Sequence, residues 1–191
     1  MKPTYQGFEA KKSSAFAQLP PPGAYIGEIQ DAREDESYDK SRKIIVLMLE
    51  ITEGEYKGQY HKVYDEQKGQ FDNVKYRGVL RLTPPVDGDE PWVRRRFEGN
   101  LWCVEASNPG YQWDWNEKGL KGKKVGFSVR TNYYTSRDGK DKETTEIAQL
   151  EWIEDVQKGN IKPLSPRDQR KKDVSASENG TNVTGEIEVP F

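Results

Sequence analysis

The sequence predicts an all-β domain with one helical insert, a five-stranded Greek-key barrel. Three observations predict it. Between residues 24 and 64, short apolar or alternating runs are separated by charged or glycine-bearing turns, the pattern of consecutive strands. From 92 to 105 the apolar residues change to helical spacing. Beyond 123 the alternation returns as two runs joined by a tight turn.

The elements follow in order. Residues 1–22 read as an N-terminal arm, closed by the stiff lead-in Leu19-Pro20-Pro21-Pro22-Gly23. A first strand covers 24–29. Residues 31–42 are polar and charged, and predict a loop. The run 43–51, Lys-Ile-Ile-Val-Leu-Met-Leu-Glu-Ile, is apolar enough for a central strand. Gly54-Glu55-Tyr56-Lys57-Gly58 is a turn, and 59–64 alternates as a third strand carrying the single histidine, His61, on one face. Residues 73–82 are compatible with a strand or a helix. After Pro91, Val93, Phe97, Leu101 and Val104 fall on one helical face, and Asn108-Pro109-Gly110 ends that helix. Residues 123–132 form a strand with Val125, Phe127 and Val129 inward. Ser136-Arg137-Asp138-Gly139-Lys140 is the hairpin turn, and 144–154 the last strand. Trp102 and Trp152 are expected in the core; Trp113 and Trp115 are assigned to neither core nor surface. This order, three strands, a helix and a hairpin, is that of an OB fold. The domain is placed at 23–160 and a disordered tail at 161–191.

Composition sets the bounds. The chain has 191 residues, 33% hydrophobic and 32% charged, so a large polar fraction lies outside the core. One cysteine, Cys103, permits no internal disulfide and suits a reducing cytosol; its expected role is a small buried apolar group. With one Cys and one His, the common zinc constellations are missing. No secretory leader or bilayer-length apolar run is visible, so the expected location is the cytoplasm, with no membrane partner. No P-loop, dinucleotide fingerprint or nucleophile motif occurs, and the expectation is a protein that is not an enzyme and takes no cofactor or metal.

The net charge of −2 is unevenly spread. Residues 73–86 hold no acid but contain Lys75, Arg77 and Arg81; residues 118–137 hold none but contain six cations; Arg94-Arg95-Arg96 makes a third basic knot. Such segregation permits a basic groove on a nearly neutral domain. Single strands are held by cations along the backbone path and by aromatic faces for the bases. The candidate contacts are Tyr60, Lys62 and Tyr64 on one face of the expected third strand, then Tyr76, Arg77 and Arg81. Lys124 and Arg130 lie on the polar face of the fourth strand, and Tyr133, Tyr134, Arg137 and Lys140 in the last hairpin.

The end of the chain carries a different signal. Ser175-Ala176-Ser177-Glu178-Asn179-Gly180-Thr181-Asn182 is a small, polar tether, and Glu186-Ile187-Glu188-Val189-Pro190-Phe191 an acidic, amphipathic tip with a free carboxylate. The tip resembles that of bacterial single-stranded DNA-binding proteins, whose acidic tail ends Ile-Pro-Phe; here valine replaces isoleucine and glutamates replace aspartates. A second resemblance rests on Gly54-Glu55-Tyr56-Lys57-Gly58 and Leu120-Lys121-Gly122-Lys123-Lys124-Val125-Gly126, which look like a family of small bacteriophage OB-fold single-strand binders, over roughly residues 19–155. Together these imply a sequence-independent single-stranded DNA-binding protein of phage replication, recombination or repair. Its tip, Glu186, Ile187, Glu188, Val189, Pro190 and Phe191, would recruit partner proteins, and homo-oligomers are compatible with it. The competing readings are an OB-fold adaptor that binds protein, a metal-dependent nuclease using acids such as Asp65/Glu66 or Asp87/Asp89/Glu90, and a binder of RNA.

Overall fold

The computed structural model describes residues 17–170. Ten elements follow one another: β1 (Gly23–Glu36), β2 (Lys43–Ile51), α1 (Gln59–Lys68), β3 (Val79–Leu82), α2 (Pro91–Ser107), a 3₁₀ turn (Glu117–Leu120), β4 (Lys124–Thr135), β5 (Asp141–Glu151), α3 (Ile153–Lys158) and β6 (Arg167–Gln169). The strands form one mostly antiparallel sheet in the order β3-β2-β1-β4-β5, with β6 parallel to β4. The sheet is open: β3 and β5, at the ends of that order, approach one another without a ladder between them.

β1 is the strand around which the rest is organised. Its first half pairs with β4, Gly23 to Glu28 against Val129 to Lys124, and its second half with β2, Gly27 to Glu36 against Ile51 to Lys43. A bulge between Ile29 and Asp31 bends it from one neighbour to the other. Gly27 sits where both neighbours meet. A Cβ there would lie 2.2 Å from the Glu50 carbonyl oxygen and 2.7 Å from the Phe127 ring, so no side chain fits. The polar stretch expected as a loop, 31–42, is strand as far as Glu36, because β2 offers it a full ladder of backbone partners.

The core lies between this curved sheet and α2. Ile29, Leu47, Leu49, Ile51, Val125, Phe127, Phe97 and Val104 are all buried in it. α2 confirms the helical spacing read from the sequence: Phe97, Leu101 and Val104 face inward. Cys103 is buried, as expected. Trp102 is not. It is 54% exposed, and Trp152, just beyond β5, is half-buried with its ring edge-on to Trp102. The helix can turn only one stripe inward, and Cys103 and Val104 occupy it.

The expected third strand is a correction. Residues 59–64 begin helix α1, and the third strand is the short β3. Tyr60, Val63 and Tyr64 satisfy helical spacing as well as Tyr60, Lys62 and Tyr64 satisfy alternation. The helix wins because β2 supplies its cap. The Glu50 carboxylate, 6% exposed, accepts the backbone N–H groups of Tyr60 (3.2 Å) and His61 (2.7 Å), two donors that a helix start leaves orphaned. His61 is therefore a helix residue, its ring Nδ1 held by the same carboxylate. Gly58, at φ 72°, makes the left-handed turn into the helix.

The 161–170 stretch, assigned to the tail, runs back along the sheet. β6 continues the edge of β4 at 132–134, immediately past the residues that pair with β1. α3 has no counterpart in the expected elements; it follows β5 directly and packs near Gly126. The acidic tip lies outside the described residues. Among the described residues no helix is long and apolar enough to cross a membrane.

Candidate nucleic-acid interface

Where β3 and β5 approach without pairing, they leave a cleft of about 360 Å³, completed by α2, β4 and β6. Six cations line it, Lys75, Arg77, Arg81, Arg96, Arg130 and Arg167, against a single carboxylate, Glu146. Each cation is delivered by local structure. Arg81 projects outward from β3 between the buried Leu80 and Leu82, the period-two alternation of a strand. Arg130 stands on the polar face of β4, opposite Val129, as the sequence predicts. Arg96 leaves α2 one residue before the buried Phe97, and its Nη2 donates to the Ala148 carbonyl (3.1 Å). That carbonyl belongs to the extra residue of a bulge in β5, where Ser128 pairs with Gln149 and Val129 with Ile147. The bulge thus anchors an α2 guanidinium across the open edge of the sheet.

The groups differ in how occupied they are. Arg130 donates Nε and Nη2 to one Glu146 oxygen (2.9 and 2.8 Å), Asn132 donates to the other, and Arg167 lies 3.6 Å from the carboxylate. Glu146 therefore organises the β4 and β6 side of the cleft. Arg77 donates to Thr144 Oγ1 (2.9 Å), bridging the approach to β3 and the last hairpin. The side chains of Arg81 and Lys75 have no ion-pair or hydrogen-bond partner among the described residues. Thr145 Oγ1, which also lines the cleft, is buried without a hydrogen-bond partner. The arrangement can accept several anionic oxygens at once, with free and partly free donors spread along it.

Tyr76 is the aromatic residue of this cleft. Its hydroxyl donates to the Leu49 carbonyl (2.9 Å) and lies 3.1 Å from Glu50 Oε2, fixing the ring against β2 and α1. Burial and then the Glu50 charge raise its phenol well above the usual range, so it stays protonated. Tyr64 packs edge-on to it, ring centres 5.9 Å apart.

Of the sequence candidates, the structure brings together Tyr76, Arg77, Arg81 and Arg130 in the cleft. Tyr60 is excluded from any such contact: it is 2% exposed, in the core between Tyr76 and Phe127. Lys62 and Tyr64 belong to α1 and share no strand face with it; Lys62 is exposed, and Tyr64 half-buried. Lys124 opens β4 at the end away from the cleft, its backbone tied to Asn108. Tyr133, Tyr134, Arg137 and Lys140 lie on the far part of the β4–β5 hairpin, outside the cleft lining; the Arg170 guanidinium covers the Tyr133 ring at 5.1 Å. The cleft cations not among those candidates are Lys75, Arg96 and Arg167. The first two were signalled by their basic clusters. Arg167 carried no signal, since its strand is formed only by pairing with β4.

Two further depressions flank α2. One, of about 390 Å³, shares Arg81 and Arg96 with the basic cleft and includes the exposed Trp92. The other, of about 370 Å³, is built from Trp102, Trp113, Trp115 and Phe97, with Glu98 and Glu105 at its side. Trp115, unassigned from sequence, is exposed and stacks on Phe97 with ring centres 6.0 Å apart; Trp113 is half-buried beside it. No protein-family model matches the chain, and no curated protein matches it.

Proposed function

We propose that this chain is a sequence-independent single-stranded DNA-binding protein with an OB-like domain, and that the cleft between β3 and β5 is its binding surface. The observation that carries the reading is six cations set against one carboxylate beside a fixed tyrosine ring, on a protein whose net charge is −2. Cations gathered in one cleft beside an aromatic face suit an unpaired polynucleotide, held by its phosphates and by stacking that tolerates any base. The OB-like assignment is supported by the strand order and by the helix between the third and fourth strands. In this reading the protein performs no catalysis, acts in the bacterial cytoplasm during phage replication, recombination or repair, and recruits partner proteins through Glu186 to Phe191.

The test is a binding titration with labelled oligo-dT, duplex DNA and single-stranded RNA at modest ionic strength. Oligo-dT is expected to bind and duplex to bind more weakly; the RNA arm decides whether the sugar matters. Indifference to oligo-dT refutes the proposal. Deleting 186–191 is expected to leave oligo-dT affinity intact or higher and to abolish partner capture, whereas loss of DNA binding would refute that division of labour.

A further inference from the structure

We propose that the cleft containing Trp92 is a second nucleotide subsite, which carries a single strand out of the basic cleft and across the start of α2. The inference rests on the single-strand reading and adds a base-stacking residue and a path to it. Arg81 and Arg96 line both clefts, so a pair of guanidinium groups joins them. Arg81 is unpaired among the described residues, and Arg96 commits one donor to Ala148, so both retain N–H groups for a phosphate at the junction.

Beyond that junction the second cleft holds one carboxylate, Asp89, and it is already neutralised. Both terminal nitrogens of Arg42 donate to it (2.9 and 3.1 Å), the Val86 N–H donates as well (2.9 Å), and the Arg42 hydrogen bonds hold its carboxyl below the usual range. The rest of the lining is uncharged, with apolar Leu82, Val93 and Phe97 beside the polar Thr83 and Asn100. Trp92 stands here 57% exposed, with no ring or cation contact to another described residue. The fold does not need it: the inward face of α2 is filled by Phe97, Asn100, Leu101 and Val104. A large indole face next to one free and one partly free guanidinium group is the pairing that holds a stacked base and its phosphate. The tryptophan-lined depression on the other side of α2 lacks that pair: its one guanidinium, Arg94, lies 3.8 Å from Glu98, and Glu105 adds a second carboxylate that would repel a phosphate.

The experiment uses the full chain, its Trp92→Ala and Trp92→Phe variants, and labelled oligo-dT. The series runs upward from the shortest length the wild type binds, across the roughly 4–16 nucleotides an OB domain covers. Trp92→Ala is expected to bind the shortest oligonucleotide as the wild type does and to lose roughly 5- to 150-fold on the longer ones. Trp92→Phe should recover much of that loss, with the slope of affinity against salt unchanged, since no charge is removed. Equal affinity of Trp92→Ala and wild type at every length overturns the subsite while leaving the basic cleft standing. An equal loss at every length also overturns it, because Trp92 would then act within the first cleft or through the fold. A wild type that ignores oligo-dT refutes the single-strand reading, and the subsite with it.

Discussion

Removing Arg81 tests the cleft most directly, because its side chain holds nothing else in place and reaches both depressions. It projects from β3, its side chain makes no ion pair or hydrogen bond among the described residues, and it lines both the basic cleft and its neighbour. Six cations against one carboxylate leave five positive charges for phosphates. Single strands release about 0.7 of a counterion per neutralised phosphate, so log affinity should fall against log salt with a slope of about −3.5. Between about 50 and 200 mM salt that slope is a loss of roughly 100-fold. Arg81→Ala should reduce the steepness by about 0.7 and weaken binding at low salt more than at high salt. The assay is fluorescence anisotropy with oligo-dT over a series of salt concentrations, beside Lys124→Ala. Lys124 is exposed at the far end of β4 and outside the cleft, so its removal should leave the slope alone. Equal effects of the two substitutions would refute the argument, since contact would then be spread over the surface rather than gathered between β3 and β5. A slope near zero in the wild type would refute electrostatic capture altogether.

Two predictions concern the fold. Glu50→Ala should lower stability by about 3 kcal/mol or more and loosen α1, since it strips a buried acceptor from the Ile51, Tyr60 and His61 N–H groups and from the Tyr76 hydroxyl; urea denaturation checks it, and a wild-type midpoint would refute the capping role. Burial pushes the Cys103 thiol and the Tyr25 phenol up to about 12. The unfolded chain gives up these protons at about 8.5 and 10, before the folded chain does. Their stabilisation is thus complete below about pH 8.5 and declines as pH rises towards 12. Denaturation midpoints should fall between pH 8 and 11, and thiol reagents at pH 8 should label Cys103 only on unfolding; rapid labelling of the folded chain would refute its burial.

The particular elements show where sequence reading succeeds. α2 was legible because Val93, Phe97, Leu101 and Val104 fit only a helical period, and the β4–β5 hairpin because alternation on both sides met a turn signal at 136–140. α1 was not, because six residues of Gln59-Tyr60-His61-Lys62-Val63-Tyr64 satisfy both periods. The deciding interaction, the Glu50 carboxylate on the helix amides, comes from another element. Trp102 and Cys103 are adjacent on one helix and both are expected in the core, yet one stripe cannot turn both inward and only Cys103 is buried.

The sequence by itself determined the β-rich character, the helical insert, the last hairpin and the segregation of basic residues, since each is written in local period or local charge. Only the tertiary structure decided which cations meet. Lys75, Arg96, Arg130 and Arg167 come from four separate stretches, and they converge because β3 and β5 stop short of pairing, a bulge at Ala148 turns a carbonyl to Arg96, and β6 lays Arg167 beside Glu146. Local preference sets what each segment is. Burial of apolar faces and satisfaction of backbone donors across distant segments set where each segment goes, and no short window of sequence contains that information.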